Sequence, residues 1–398
     1  VLTLPLSIRW SAERATFALL SAILFLQFLS AGLANPLLAL QIRALGADYW
    51  QIATVLTTYQ VAAMAAQYYW GRRSDRLGRR KPLILLGLTG LTLAYLGLGL
   101  ITHFTAAYLI RAFEAVCFAA YNTASLALIG DLLEQRAARG RLMGLYRTFG
   151  SLAFALAALF GGSLADQFSL RLPFLLSAGF FALAFLLALA IRERPFTPRP
   201  ATPAPGVAAP LSLRPALPFL LVAFTWYLAM TAVVPLWPVY MQDLGFWKTD
   251  ITRLWALAAF GEALLMPLTG HLSDRLGRRV VLATGLLSCG VVFGLYVILP
   301  TLPWLLGIQA LRAFAFAAFI PIAMIYATEM TGQAGRGRAA GLYNTANGLG
   351  GIAGSALGGT LAQVLGVTTM IDLAAAVLIG VGLLALRLLP EPASRRPR

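Results

Sequence analysis

The stretch "GRRSDRLGRRKPL", Gly71 to Leu83, places seven charged residues among thirteen, in a chain that is 59% hydrophobic and only 12% charged. Nearly the same string, "GHLSDRLGRRVVL", returns at Gly270 to Leu282. Each copy follows one long apolar run and precedes another, so the charges mark a polar break between hydrophobic segments.

Those segments set the class of the chain. A mean hydropathy of +0.78 over 398 residues, with runs such as "FALLSAILFLQFLSAGLANPLLALQI", indicates spans of the ~20 residues needed to cross roughly 30 Å of hydrocarbon. The first run exceeds the roughly 7 to 15 apolar residues of a signal-peptide core and many similar runs follow it, so it is read as a span. Apolar runs and polar breaks predict twelve helices, at about 16–42, 50–70, 82–101, 104–131, 142–165, 171–191, 216–242, 250–270, 280–299, 303–329, 338–363 and 367–389. Helices are preferred to barrel strands because the runs are continuous, and because lipid requires each span to satisfy its own backbone groups.

A net charge of +16 raises the possibility of nucleic acid as a partner, but the basic residues punctuate the apolar runs instead of forming one face. With the N-terminus cytoplasmic, the even-numbered breaks and both termini hold 25 of the 31 Lys and Arg residues. The opposite side holds four (Arg43, Arg171, Lys248, Arg253) and two lie within spans. This asymmetry predicts cytoplasmic termini in a bacterial inner membrane and removes the nucleic-acid reading. Cys117 and Cys289 both fall in apolar runs, as free buried thiols do; no disulfide framework, metal site or cofactor is expected.

Residues 192 to 218 hold eight prolines and no apolar span, the composition of a solvated tether. They divide the chain into a six-helix bundle at 1–191, a Pro-rich linker at 192–215 and a second bundle at 216–398. The two halves repeat. At an offset of 199, Pro36 and Leu37 meet Pro235 and Leu236, and Gly46 meets Gly245. At 197, "RGRLMGLYRT" (Arg139 to Thr148) meets "RGRAAGLYNT" (Arg336 to Thr345) and Gly161-Gly162 meets Gly358-Gly359; Arg111 in "LIRAF" answers Arg312 in "ALRAF". Parallel six-span halves with a central linker are a recurring transporter plan, with substrate bound near the midplane.

Over its whole length the chain resembles the major facilitator superfamily. The loop between spans 2 and 3 is similar to that family's signature at Gly71, Asp75, Arg76, Gly78, Arg79 and Arg80, and its copy at Gly270, Leu272, Asp274, Arg275, Gly277, Arg278 and Arg279. A helix ending at Gly71, a turn at Gly78 and an Asp75 carboxylate at a neighbouring helix N-terminus would together make a latch. The resemblance implies that this neighbour is the eleventh span and that the contact closes a cytoplasmic gate. It further implies that Arg79 pairs with Asp131 at the end of span 4, with Asp274, Arg278 and Glu329 as the second set. The other arginines of the loop and Lys81 are assigned to topology.

Ionisable residues inside spans are costly and are functional candidates. Arg111 and Glu114 stand three residues apart on one face of span 4, and Asn122 lies three turns further along. The resemblance implies that spans 1, 4, 7 and 10 line a cavity, and Arg111 falls where drug and proton antiporters of the family carry a span-4 arginine. Glu262 in span 8 has no acidic counterpart in the first half, where Ala63 stands. A lone carboxyl in low dielectric suits a site that takes up and releases a proton. Glu262 and Glu114 are therefore the proton-coupling candidates. Arg111, Arg312, Gln27, Asn35, Tyr121, Asn122, Trp226 and Tyr227 are the substrate-cavity candidates.

The antiporters' fifth-span Gly-Pro is replaced by Ala157-Ala158, and "IPIAMIYATEMTGQAGRGRAAGLYNT" faintly resembles bacterial sugar-efflux members. The favoured expectation is a monomeric, proton-coupled exporter of amphiphilic drugs or sugars. The alternative is an importer or facilitator of a sugar or organic anion, held by Arg111 and Arg312. An enzyme is not expected: neither lysine follows glycine, and there is no H-E-x-x-H or G-x-S-x-G pattern.

Overall fold

The computed structural model describes residues 6–77, 79–133, 139–193, 213–329 and 332–391. Gly78 and most of the linker, 194–212, lie outside these residues, as does the side chain of Asp75. Among the described residues every regular element is a helix: α1 Leu6–Ala44, α2 Tyr49–Leu77, α3 Lys81–Leu100, α4 Thr105–Leu133, α5 Arg139–Gln167, α6 Leu172–Leu189, α7 Leu213–Val233, α8 Trp237–Asp243, α9 Lys248–Leu276, α10 Arg278–Ile298, α11 Leu302–Glu329, α12 Gly332–Leu365 and α13 Val367–Leu388. Among the described residues, eleven stretches are long and apolar enough to cross a membrane, α7 and α8 counting together as Ala216–Asp243. The twelfth span is α2, whose 29 residues carry three glutamines and a charged end.

The seventh span, expected as one helix, is two. Pro235 lacks a backbone donor, and Pro238 occupies the first turn of α8, so the ladder breaks over Val234–Leu236. Its counterpart α1 runs unbroken through Pro36, because Ala39 stands where the second proline would be. The second and eighth spans are longer than expected. Helix α2 continues through Gly71 to Leu77 and α9 through Gly270 to Leu276, so neither glycine ends a helix. The residues after each glycine, Arg72–Leu77 and His271–Leu276, contain no Pro or Gly, and the turn in the second copy waits for Gly277, at φ +101°.

Backbone contacts divide the chain into two compact units. Unit 1 comprises Val1–Gly46, Thr58–Pro200 and Trp247–Ala256, and unit 2 comprises Ala47–Thr57, Ala201–Phe246 and Leu257–Arg398. Within unit 1, α1 packs on α5 and α6, and α3 on α4 and α6. Unit 2 repeats the pattern with α7 on α12 and α13, and α10 on α11 and α13. Close approach is made by small residues: Gly350, Gly354 and Gly358, four residues apart on α12, lie against the backbone of Phe224, Leu228 and Ala232 in α7. Gly46 and Gly245 close the first span of each half in the same left-handed conformation, at φ +92° and +89°.

Candidate functional site

The charged breaks form one constellation in each unit. In unit 2, Gly277 caps α10 and releases Arg278 as its first helical residue. The Arg278 guanidinium meets Glu329 with two nitrogens, at 3.1 and 3.3 Å, and donates to Asp274 at 2.7 Å and to the Ser273 hydroxyl at 2.9 Å. The fork is bidentate on Glu329, the geometry that fixes direction as well as distance. The expected set Asp274, Arg278 and Glu329 is thus brought together.

In unit 1 the basic partner of Asp131 is Arg80, at 2.9 Å, and not Arg79, which is exposed. Helix α3 begins at Lys81, two positions later than α10 in the aligned frame, so the residue turned inward at the cap shifts by one. Arg80, assigned from sequence to topology, is buried. Gly71 and Gly270 sit inside helices with open space around them.

Two carboxylates that the sequence reading did not single out complete these constellations. Glu193 accepts the backbone N–H groups of Arg80 and Lys81 at 2.5 and 2.8 Å, and Glu391 accepts those of Arg278 and Arg279 at 3.2 and 3.1 Å. Each follows the last span of its half and fills the electropositive start of the third. A Cβ at position 277 would meet the Glu391 carboxylate oxygen at 2.5 Å. The signal was present: a glutamate just past the sixth and twelfth spans, 198 residues apart.

Deeper in unit 1, Arg111 and Glu114 are both buried and form an ion pair along one helix face. The Arg111 guanidinium lies over the Tyr59 ring, 4.1 Å from its centroid, and Tyr95 hydrogen-bonds the Glu114 carboxylate. The pair is neutral as a whole, which is how a buried charge persists in a membrane span. Tyr121 is buried, Asn122 half-buried on the same helix, Gln27 buried on α1 and Asn35 exposed.

The corresponding group in unit 2 is built differently. Arg312 donates to Gln309 at 3.4 Å and lies 4.9 Å from the Phe316 centroid, while Tyr296 donates to the same Gln309 oxygen at 3.2 Å. Trp226 stacks on Phe319 at 4.0 Å and meets Phe316 edge-on at 5.5 Å, so it is packed, with Tyr227 half-buried beside it. Glu262 projects from α9 within electrostatic range of Arg312 and is only half-buried. Helices α9 and α11 touch beside this pair, where a Cβ at Gly261 would meet the Ala313 Cβ at 2.9 Å. Tyr95 and Tyr296 went unremarked in the sequence, although they share the 201-residue offset of Arg111 and Arg312.

Comparison with known proteins bears on the family and the fold. The family model described as Major Facilitator Superfamily matches residues 20–246 and 219–398. The chain is 24% identical over 363 residues to Multidrug resistance protein 2 of Bacillus subtilis (strain 168), covering 88% of this chain and 89% of that protein. It is 28% identical over 364 residues to the maltose permease of Geobacillus stearothermophilus, covering 89% of each. Among solved structures, the nucleoside transporter NupG (D323A mutant) superposes with a TM-score of 0.84 at 16% identity, over 94% of this chain and 100% of that one. That likeness is one of fold.

Proposed function

The chain belongs to the major facilitator superfamily, a family of multi-pass membrane transporters and not enzymes, and on that premise we propose that it exports small organic molecules by proton-coupled alternating access. The substrates proposed are amphiphilic drugs or sugars, in keeping with the relatives it resembles. In this reading the protein works as a monomer in the bacterial inner membrane with both termini cytoplasmic, as the distribution of basic residues favours. Asp75 and Asp274 serve the cytoplasmic gate, together with Arg80, Arg278, Asp131 and Glu329.

One observation carries the proton coupling: Glu262 is a half-buried carboxyl in a span, near an arginine on a different helix. Protonation cancels its attraction to Arg312 and deprotonation restores it, so proton binding is linked to the approach of α9 and α11. Glu114 is less suited to the task, because its charge is matched by Arg111 on its own helix. The same closed pair weighs against an importer that clamps an anion between Arg111 and Arg312, since one arm is already neutralised.

A thermal-shift screen on purified protein separates the two readings. Lipophilic cations, sugars and organic anions are compared at two pH values. Stabilisation by cations at high pH supports the proton-coupled exporter; stabilisation by anions alone supports the importer.

A further inference from the structure

Helix α2 caps itself. The Asp48 carboxylate accepts the Gln51 N–H at 2.7 Å and the Gln51 side chain accepts the Asp48 N–H at 3.0 Å, a reciprocal box that satisfies two free donors. At the repeat offset of 199, helix α9 carries Trp247 and Asp250 in those places. Tryptophan has no acceptor to offer, so α9 lacks a local cap at this position.

The cap comes from another span. Asp166, in the last turn of α5, accepts the Thr249 N–H at 2.8 Å, the Thr249 hydroxyl at 2.8 Å and the Lys248 ammonium at 3.1 Å. One turn earlier on α5, the Gly162 N–H donates to the Thr252 hydroxyl at 3.0 Å. Gly162 itself has no side chain where a Cβ would run into the Lys248 carbonyl, so the two backbones touch. Residues Trp247–Ala256, the start of α9, belong to unit 1, whereas Leu257 onward belongs to unit 2. Helix α2 is divided in the same way, with Ala47–Thr57 in unit 2. There the contact is made by Ala53 against Gly359, together with one Tyr49–Asp243 hydrogen bond at 2.7 Å.

We propose that Asp166 is a latch: a helix cap supplied across two spans, which holds the start of α9 to the end of α5 and must be given up whenever those ends part. The carboxylate sits at the electropositive end of α9 and beside a lysine, and both attractions vanish together on separation. The equivalent crossing at α2 keeps its cap wherever it goes. The two crossings therefore differ in strength, and the charged one sets how readily the ends of α5 and α9 part, whatever the substrate.

The test is a thiol-accessibility measurement on the full chain, purified in detergent, with Cys117 and Cys289 replaced by alanine. Thr252→Cys, at a fully buried position on the contact, reports each separation of the two helix ends by reaction with a maleimide. Asp166→Ala is expected to raise the labelling rate about five-fold, the equivalent of the ~1 kcal/mol of a lost cap. Asp166→Asn, which keeps an acceptor and loses the charge, is expected to raise it about two-fold. Asp48→Ala, which uncaps α2 only, leaves it unchanged. If Asp166→Ala does not yield monodisperse protein, Thr249→Val removes the hydroxyl's bonds to Asp166 and, at 3.5 Å, to Ser163, keeps the other two bonds of Asp166, and is expected to give about a two-fold rise. Equal labelling in the Asp166 or Thr249 variants and the parent overturns the proposal, as does an equal rise with Asp48→Ala.

Discussion

Arg111 in unit 1 and Arg312 in unit 2 each lie near a carboxylate, but one carboxylate is on the arginine's own helix and the other is not. In unit 1, Glu114 and Arg111 share α4 and are both buried. In unit 2, Ala315 stands where Glu114 would be, and the acid is Glu262 on α9, where unit 1 has Ala63. A pair on one helix keeps its separation whatever its neighbours do. A pair across two helices reports their approach. In the proposed function the duplicated halves separate a fixed structural charge from a conditional one, and the difference can be broken at several points.

The largest effect is expected from Glu114→Gln. It leaves the buried Arg111 without its counter-charge, at a cost of about 3–5 kcal/mol, and should appear as a large fall in the thermal midpoint of purified protein. The same change at Glu262 should lower stability by less than ~1 kcal/mol, since that carboxyl is half-exposed and its arginine retains Gln309 and Phe316. Equal losses at the two sites would remove the distinction. Next in size is Gly261→Leu, which forces α9 and α11 apart where the Ala313 methyl leaves no room. It is expected to cost about 1–3 kcal/mol and to weaken the pH dependence of any ligand-induced stabilisation. Smallest is Glu391→Gln at the start of α10, about 0.3–1 kcal/mol, with Glu193→Gln matching it in the other half. Denaturation in a graded series of detergent resolves these, and a clear inequality between the two caps would show that the halves differ there too.

Most of the fold was legible because hydrophobic run length and an internal repeat are carried by many residues at once. The spans at Gly71 and Gly270 were read too short because charge was taken as the end of a helix. The residues after each glycine are competent helix formers, and only the later glycine stops the second copy. Asp274, Arg278 and Glu329 were found together because the motif is local and its acid lies at a helix end. Arg80 was not assigned to Asp131, because a two-residue shift in where α3 starts changes which side chain turns inward, and spacing does not show that. Glu193, Glu391 and Asp166 bind backbone donors on distant helices, a relation that leaves no pattern along the chain. Trp226 was offered as a cavity residue, yet its ring is stacked between helices, since aromatic side chains serve both purposes with one composition.

The central claim is that Glu262 is the conditional charge that couples protons to transport. The most direct measurement takes the best stabilising compound from the thermal-shift screen and follows its movement into proteoliposomes, with and without an imposed pH gradient. In the parent protein the gradient should accelerate transport. Glu262→Gln should abolish that acceleration while leaving gradient-independent exchange of the same compound intact. Acceleration by the gradient that persists at the parent level in Glu262→Gln would contradict the account.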